Sequence, residues 1–180
     1  MVDSHKNILN SAERVVLRDG AAHLTLDAVA AEAGLSKGGI LYHFPTKDAL
    51  IRGMVDRLIE QTESEINRLK AADPEPKGRS LRAYLGAMFP RNGAAPYRKQ
   101  QLEAVLMAAM LTDSGLLEPI RKHTRKFQET LLEDGLDEHV VSVVRLAADG
   151  LWMSELLSMP GPGATARRAM IAQLYEMTRR

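Results

Sequence analysis

Between Thr25 and Lys47 the chain gathers side chains that hold anions. They are Thr25, Ser36, Lys37, Tyr42, His43 and Lys47, with the pair Gly38-Gly39 in their midst. An ammonium such as that of Lys37 can donate to guanine O6 and N7 or to a phosphate. The phenol of Tyr42 and the imidazole N–H of His43 suit phosphate oxygens. Thr25 and Lys47 stand where helices begin, and backbone amides there also favour anions. Two adjacent glycines inside a short helix cost roughly 1 kcal/mol each relative to alanine. Against a nucleic-acid groove they have a use, because missing side chains let the backbone come close to the bases.

The elements that must position these residues are legible in the same stretch. Leu26 to Pro45, LDAVAAEAGLSKGGILYHFP, reads as helix, tight turn and second helix. Ala30 stands four residues before Gly34 and Ile40 six after it. Those offsets place a methyl-sized residue at the helix crossing, a residue tolerant of positive φ in the turn, and a branched apolar plug on the second helix. This is the spacing of a helix-turn-helix whose second helix lies in the DNA major groove. Leu26, Val29, Ala30 and Ala33 are the expected burying positions of the first helix of the pair. Ser36 caps the second helix and Pro45 forces its end.

Charge alone does not announce such a partner. The formal net charge is +1, and residues 1 to 50 hold five basic side chains (Lys6, Arg14, Arg18, Lys37, Lys47) against six acids (Asp3, Glu13, Asp19, Asp27, Glu32, Asp48). The basic residues that matter are local, with Lys37, His43 and Lys47 falling close together. So weakly basic a module makes few phosphate contacts by itself and is expected to act as one of two.

Other chemistries find little support. The chain has no cysteine, which removes disulfides, thiolate metal sites and cysteine nucleophiles together. His5, His23, His43, His123 and His139 show neither HxxxH nor HExxH spacing, and no P-loop or dinucleotide fingerprint occurs. No enzyme activity, metal or cofactor is expected. No apolar run approaches the roughly 18 residues of a membrane span, and MVDSHKN offers no signal-peptide core. A cytoplasmic protein without a membrane partner is expected.

The remainder of the 180 residues reads as helix. A first helix begins after Asp3 or Ser4, carries Ile8, Leu9, Ala12, Val15 and Val16 on one face, and stops at Asp19-Gly20. After the helix-turn-helix, Thr46 caps a long helix with Leu50, Met54, Leu58 and Thr62 at helical spacing. Asp73-Pro74-Glu75-Pro76 breaks it. Further helices are predicted at about 77–89, 97–112, 115–133 and 137–159. Pro160-Gly161-Pro162-Gly163 is a strong stop, and 164–177 closes the chain. The expected architecture is all-α: an N-terminal three-helix DNA-binding domain (1–47) followed by a helical body (48–180), about nine helices together.

The stretch Thr25 to Leu50, TLDAVAAEAGLSKGGILYHFPTKDAL, resembles the signature of the TetR family of bacterial repressors, in its SKGGxLYHF form. Many relatives carry at the place of Leu41 a tyrosine that touches a phosphate. Here the resemblance moves that role to Tyr42 and His43 and leaves Leu41 to pack inward. Carried over residue by residue, it implies a DNA-binding set of Thr25, Ser36, Lys37, Gly38, Gly39, Tyr42, His43 and Lys47. It further implies a homodimer that sets two recognition helices in successive major grooves of double-stranded palindromic operator DNA. The helical body would bind a small molecule that changes their spacing, with the long fourth helix as the mechanical link.

Leu146 to Leu156, LAADGLWMSEL, is similar to the penultimate helix of relatives with hydrophobic drug-like ligands. Met88, Phe89, Met107, Met110, Phe127, Asp149, Trp152 and Met153 are the candidate lining of a pocket for a small hydrophobic or cationic effector, since methionine and aromatic groups adapt to varied apolar shapes. Asp149 among apolar neighbours calls for a cationic ligand or a buried hydrogen bond. Val140, Val144, Leu151, Leu156, Met170 and Leu174 are the candidate dimer interface, a four-helix bundle from two subunits. The reading is thus a repressor released from its operator by an effector. The alternative is a helix-turn-helix regulator without an effector, controlled through a protein partner.

Overall fold

The computed structural model describes residues 4–20, 23–90, 101–107 and 114–179. Helices account for nearly all of the regular structure, and no strand occurs among the described residues. They are α1 (Ser4–Asp19), α2 (Leu26–Ala33), α3 (Lys37–His43), α4 (Lys47–Ala72), α5 (Arg79–Met88), the helical residues 101–107 (α6), α7 (Glu118–Leu132), α8 (Glu138–Leu156) and α9 (Ala164–Met177). A 3₁₀ turn, Ser114–Leu117, leads into α7, so the α-helix starts three residues after its predicted beginning at Gly115. The α8 helix stops at Leu156, short of the predicted Met159, and Ser158 at φ 52° turns the chain out of helical geometry.

Packing divides the chain into two compact units, Met1–Ile59 with Arg98–Arg121, and Glu60–Tyr97 with Lys122–Arg180. The first takes in the expected 1–47 module together with the opening of α4 and a later stretch of sequence.

In the first unit the apolar stripe of α1 is wholly buried: Ile8, Leu9, Ala12, Val15 and Val16 all lie in one core with Val29, Ile40, Leu50 and Met54. The helices α2, α3 and α4 are each capped as the sequence suggests. Thr25 Oγ1 accepts from the Ala28 amide (3.1 Å), Ser36 Oγ from the Gly39 amide (3.2 Å) and Thr46 Oγ1 from the Ala49 amide (3.0 Å). Gly34 closes α2 at φ 66°, and the Leu35 amide donates back to the Ala30 carbonyl at 3.0 Å. That left-handed cap is what a glycine is for. Val29 and Ala30 are buried, whereas Leu26 and Ala33 are only half-buried. Phe44, just past α3, is buried against Gly53 of α4, where a Cβ would stand 2.7 Å from Phe44 Cε1. The absent side chain makes the seat that locks the exit of α3 onto α4.

The second unit is built on Leu81, Leu85, Leu131, Val141, Val144, Ala148, Leu151 and Leu174. The DPEP break is rigidly held by the buried Arg82 guanidinium. Its Nε donates to Asp73 Oδ2 (2.6 Å), its Nη2 to the Glu75 carbonyl (2.7 Å), and its Nη1 to the carbonyls of Lys77 (2.8 Å) and Thr178 (3.2 Å). Gly78 at φ 74° allows the chain to turn there, since a Cβ would overlap the Thr178 carbonyl oxygen. Burying a charge this way is tolerable only because nearly every donor is used.

Candidate nucleic-acid interface

The α3 helix keeps one side in the core through Ile40 and offers the rest outward. Tyr42 is 86% exposed. A phenol so placed contributes nothing to the core and is open to an outside partner. His43 sits beside it, their rings edge to face at 5.1 Å, and His5 of α1 lies 6.2 Å from His43 and 4.8 Å from Phe44. His5 was not singled out by sequence reasoning, because thirty-odd residues separate it from the rings it touches. Lys47 is exposed at the start of α4.

Gly38 and Gly39 have no internal reason to be glycine. A Cβ at Gly38 would meet nothing closer than Ser36 Oγ at 3.9 Å, and one at Gly39 would meet Ser36 Oγ at 3.5 Å. These are ordinary contacts, and the helix would gain from alanine at both.

One expectation needs correction. Leu41 does not pack inward. It is 39% exposed, because Ile40 occupies the core-facing position and its neighbour along a helix must point about 100° away. Lys37 is not a solitary cation: its Nζ stands 3.0 Å from Asp27 Oδ1 and 3.2 Å from Oδ2, on the first turn of α2. The hydroxyls of Thr25 and Ser36 accept the capping hydrogen bonds of α2 and α3 and so order those helix ends. Charge pairing extends across the module. Arg14 and Arg18 both hold Glu32, and their hydrogen bonds keep its carboxyl below the usual range. Arg57 of α4 pairs with Glu13 and Asn10 of α1.

In the second unit Phe89 is buried, while Met88, Phe127, Trp152 and Met153 are half-buried. Met88, Phe127 and Trp152 pack against that unit's core. Met107 packs instead on the core of the first unit, and Met110 lies outside the described residues. Asp149 already has partners. The buried Tyr84 hydroxyl donates to it and Arg145 Nη1 lies 3.1 Å away. Burial, reinforced by the Asp149 charge, pushes the Tyr84 phenol up and keeps it protonated. The half-buried Asp149 carboxylate is thus hydrogen-bonded within the chain. Phe127 touches both Tyr84 (5.2 Å) and the stacked ring of His123 (5.9 Å), and His123 Nδ1 meets Glu63 at 3.0 Å.

The expected dimer residues are redistributed. Val144, Leu151 and Leu174 are consumed by the subunit's own core, so they have no surface left to give a second copy. Val140 and Met170 lean on that core in part, and Leu156 is half-buried. The outward apolar stripe is a different one: Val143 at 52% and Leu146 at 59% exposure, with exposed Gly150 and Leu157 in line at helical spacing.

A capped helix-turn-helix that turns a lysine, a glycine pair and an exposed tyrosine outward, beside a further helical unit, is the arrangement of DNA-binding transcriptional regulators. Residues 8–54 match the bacterial regulatory proteins of the tetR family, and residues 78–179 match the Tetracyclin repressor-like C-terminal domain. The chain belongs to the TetR family, a family of transcriptional regulators and not of enzymes. It is 27% identical over 94 residues to the HTH-type transcriptional regulator EthR of Mycolicibacterium smegmatis, covering 52% of this chain and 43% of that one. Against TtgR of Pseudomonas putida it is 32% identical over 73 residues, covering 41% and 34%. The chain thus spans less than half the length of the curated relatives it matches. Among solved structures, a TetR transcription regulator from Haloarcula marismortui matches at TM-score 0.74 and 20% identity over 99% of this chain and 98% of that one. The multidrug binding protein EbrR complexed with ethidium matches at TM-score 0.67 and 24% identity, covering 98% of each. These likenesses show the fold.

Proposed function

We propose that the chain is a cytoplasmic, homodimeric repressor that reads a palindromic operator in double-stranded DNA and leaves it when a small hydrophobic effector binds the helical body. The observation that carries the reading is the outward face of α3: a fully presented Tyr42 beside Lys37 and two glycines with no structural use. The DNA-reading module is residues 1–47, and residues 48–180 hold the effector and dimer surfaces. The stripe Val143, Leu146 and Gly150 on the outside of α8, with Leu157 just past its end, supplies the isologous contact, in place of the residues taken up by the core. Two subunits also answer the weak charge of the module, because each brings few phosphate contacts.

For the effector, Met88, Phe89, Phe127, Trp152 and Met153 offer adaptable apolar contact. EbrR is complexed with ethidium and with malachite green, and aromatic ligands of that kind suit such a set. With Asp149 already met by Tyr84 and Arg145, apolar contact is the main attraction and charge a secondary one.

The test is a pair of measurements on the full chain. Tyr42→Ala should abolish the gel shift of the DNA that flanks its own coding sequence, with helical content and oligomeric state unchanged. A shift that persists would remove the DNA assignment. Trp152, the chain's single tryptophan, should change its fluorescence when a hydrophobic aromatic compound binds. A screen that includes ethidium and leaves Trp152 unmoved would favour control through a protein partner.

A further inference from the structure

We infer that Asp27 is a positioning residue that sets the sequence discrimination of the DNA-reading helix. The inference rests on the DNA-reading assignment above and adds to it a carboxylate where a DNA-binding surface would be expected to avoid one. Asp27 lies in the first turn of α2 and Lys37 at the first residue of α3, ten positions apart in sequence. The turn between the helices folds them together so that both carboxylate oxygens reach the same ammonium, at 3.0 and 3.2 Å. Both side chains are about two-thirds exposed, so burial does not demand the pair. A surface ion pair of this kind adds only about 0–1 kcal/mol to stability. Its position is what matters: the negative charge sits within one side chain's length of the groove that α3 would enter.

Such a carboxylate acts in two opposite ways. Toward any duplex it repels phosphates and weakens binding irrespective of sequence. Toward a guanine it helps, because an ammonium has three donors. One held by Asp27 fixes the direction of the long Lys37 side chain and leaves two for O6 and N7. Without Asp27 the same lysine would swing to the nearest phosphate, which every sequence offers. The pair therefore lowers affinity for random DNA while sparing affinity for the correct site. Asp27 and Lys37 together are the discriminating device, and Lys37 alone is only a cation.

The experiment compares the full chain with Asp27→Asn and Asp27→Glu. Fluorescence anisotropy would use a duplex selected from random-sequence DNA by the full chain, and a scrambled duplex of the same composition. Asp27→Asn should bind the scrambled duplex about two- to fivefold more tightly, the scale of an exposed ion pair, and the selected duplex no more tightly or less. Its salt dependence should steepen as Lys37 takes up a phosphate. Asp27→Glu, which keeps the charge, should stay near the parent. In a Lys37→Met background, read at lower salt, Asp27→Asn should move both duplexes alike. If Asp27→Asn changes both equally with Lys37 present, or narrows discrimination equally without it, the positioning role is wrong. If the parent chain enriches no sequence at all, the DNA reading fails and takes this inference with it.

Discussion

Gly38→Ala separates a glycine kept for folding from one kept for DNA, because the two roles predict opposite signs. Gly38 lies in the first turn of α3, is exposed, and does not require positive φ. Its added methyl would meet only Ser36 Oγ, at 3.9 Å. Removing the backbone freedom of a helical glycine in the unfolded chain is worth about 0.5–1 kcal/mol. For a chain of this length, that corresponds to a rise of about 2 °C in Tm. On DNA the same methyl stands between the α3 backbone and the base edges and pushes the helix outward. A good base contact is worth about 1–3 kcal/mol. Losing one in each of two subunits gives at least about 2 kcal/mol, or roughly thirtyfold in Kd. The assays are thermal melting followed by circular dichroism, and anisotropy on the duplex that the parent chain selects. A variant both more stable and much weaker on DNA supports the reasoning. A variant more stable with unchanged affinity refutes the close approach, and a less stable one refutes the claim that the glycine has no structural use.

Three further outcomes follow from the packing. Gly53→Ala drives a methyl into the Phe44 ring at 2.7 Å, so it should cost about 1–3 kcal/mol by overpacking, read as a lower denaturation midpoint. The Arg82 guanidinium holds the Asp73 carboxyl below its ordinary value. That stabilisation is complete above the unfolded pKa of about 4 and fades as pH falls through the lower folded value. Urea melts should accordingly show the parent losing more stability than Asp73→Asn below about pH 4; parallel losses would contradict it. Val143→Glu with Leu146→Glu places charges on the outward stripe of α8, and light scattering should report folded monomers. A dimer that survives both changes would move the interface elsewhere.

Much of the reading module was legible because its signals are local. Caps at Thr25, Ser36 and Thr46, the glycine at the end of α2, the proline after α3 and the five-residue stripe of α1 each act within one or two turns. Their geometry is therefore written in neighbouring residues. The limits of α2 and α9 followed for the same reason. Less local facts escaped. The role of Gly53 as a seat for Phe44 could not be read from a lone glycine in a long helix, and Arg82 gave no hint that it would tie a loop to the chain's last turn.

The amino-acid sequence alone specifies an all-helical chain and a helix-turn-helix with its candidate contact residues in order. It also offers Val140, Val144, Leu151 and Leu156 of α8 as a candidate dimer surface. Which stripe goes where is set by packing: Val141, Val144, Ala148 and Leu151 inward, Val143 and Leu146 outward. Both stripes carry apolar residues, so periodicity alone does not choose between them; the faces of α5 and α9 that pack against α8 make the choice. The same holds for charge. Asp27 and Lys37 belong to different helices, and the Asp149 carboxylate meets Tyr84 from another. Their pairing depends on a few ångströms of helix placement, which no single helix encodes.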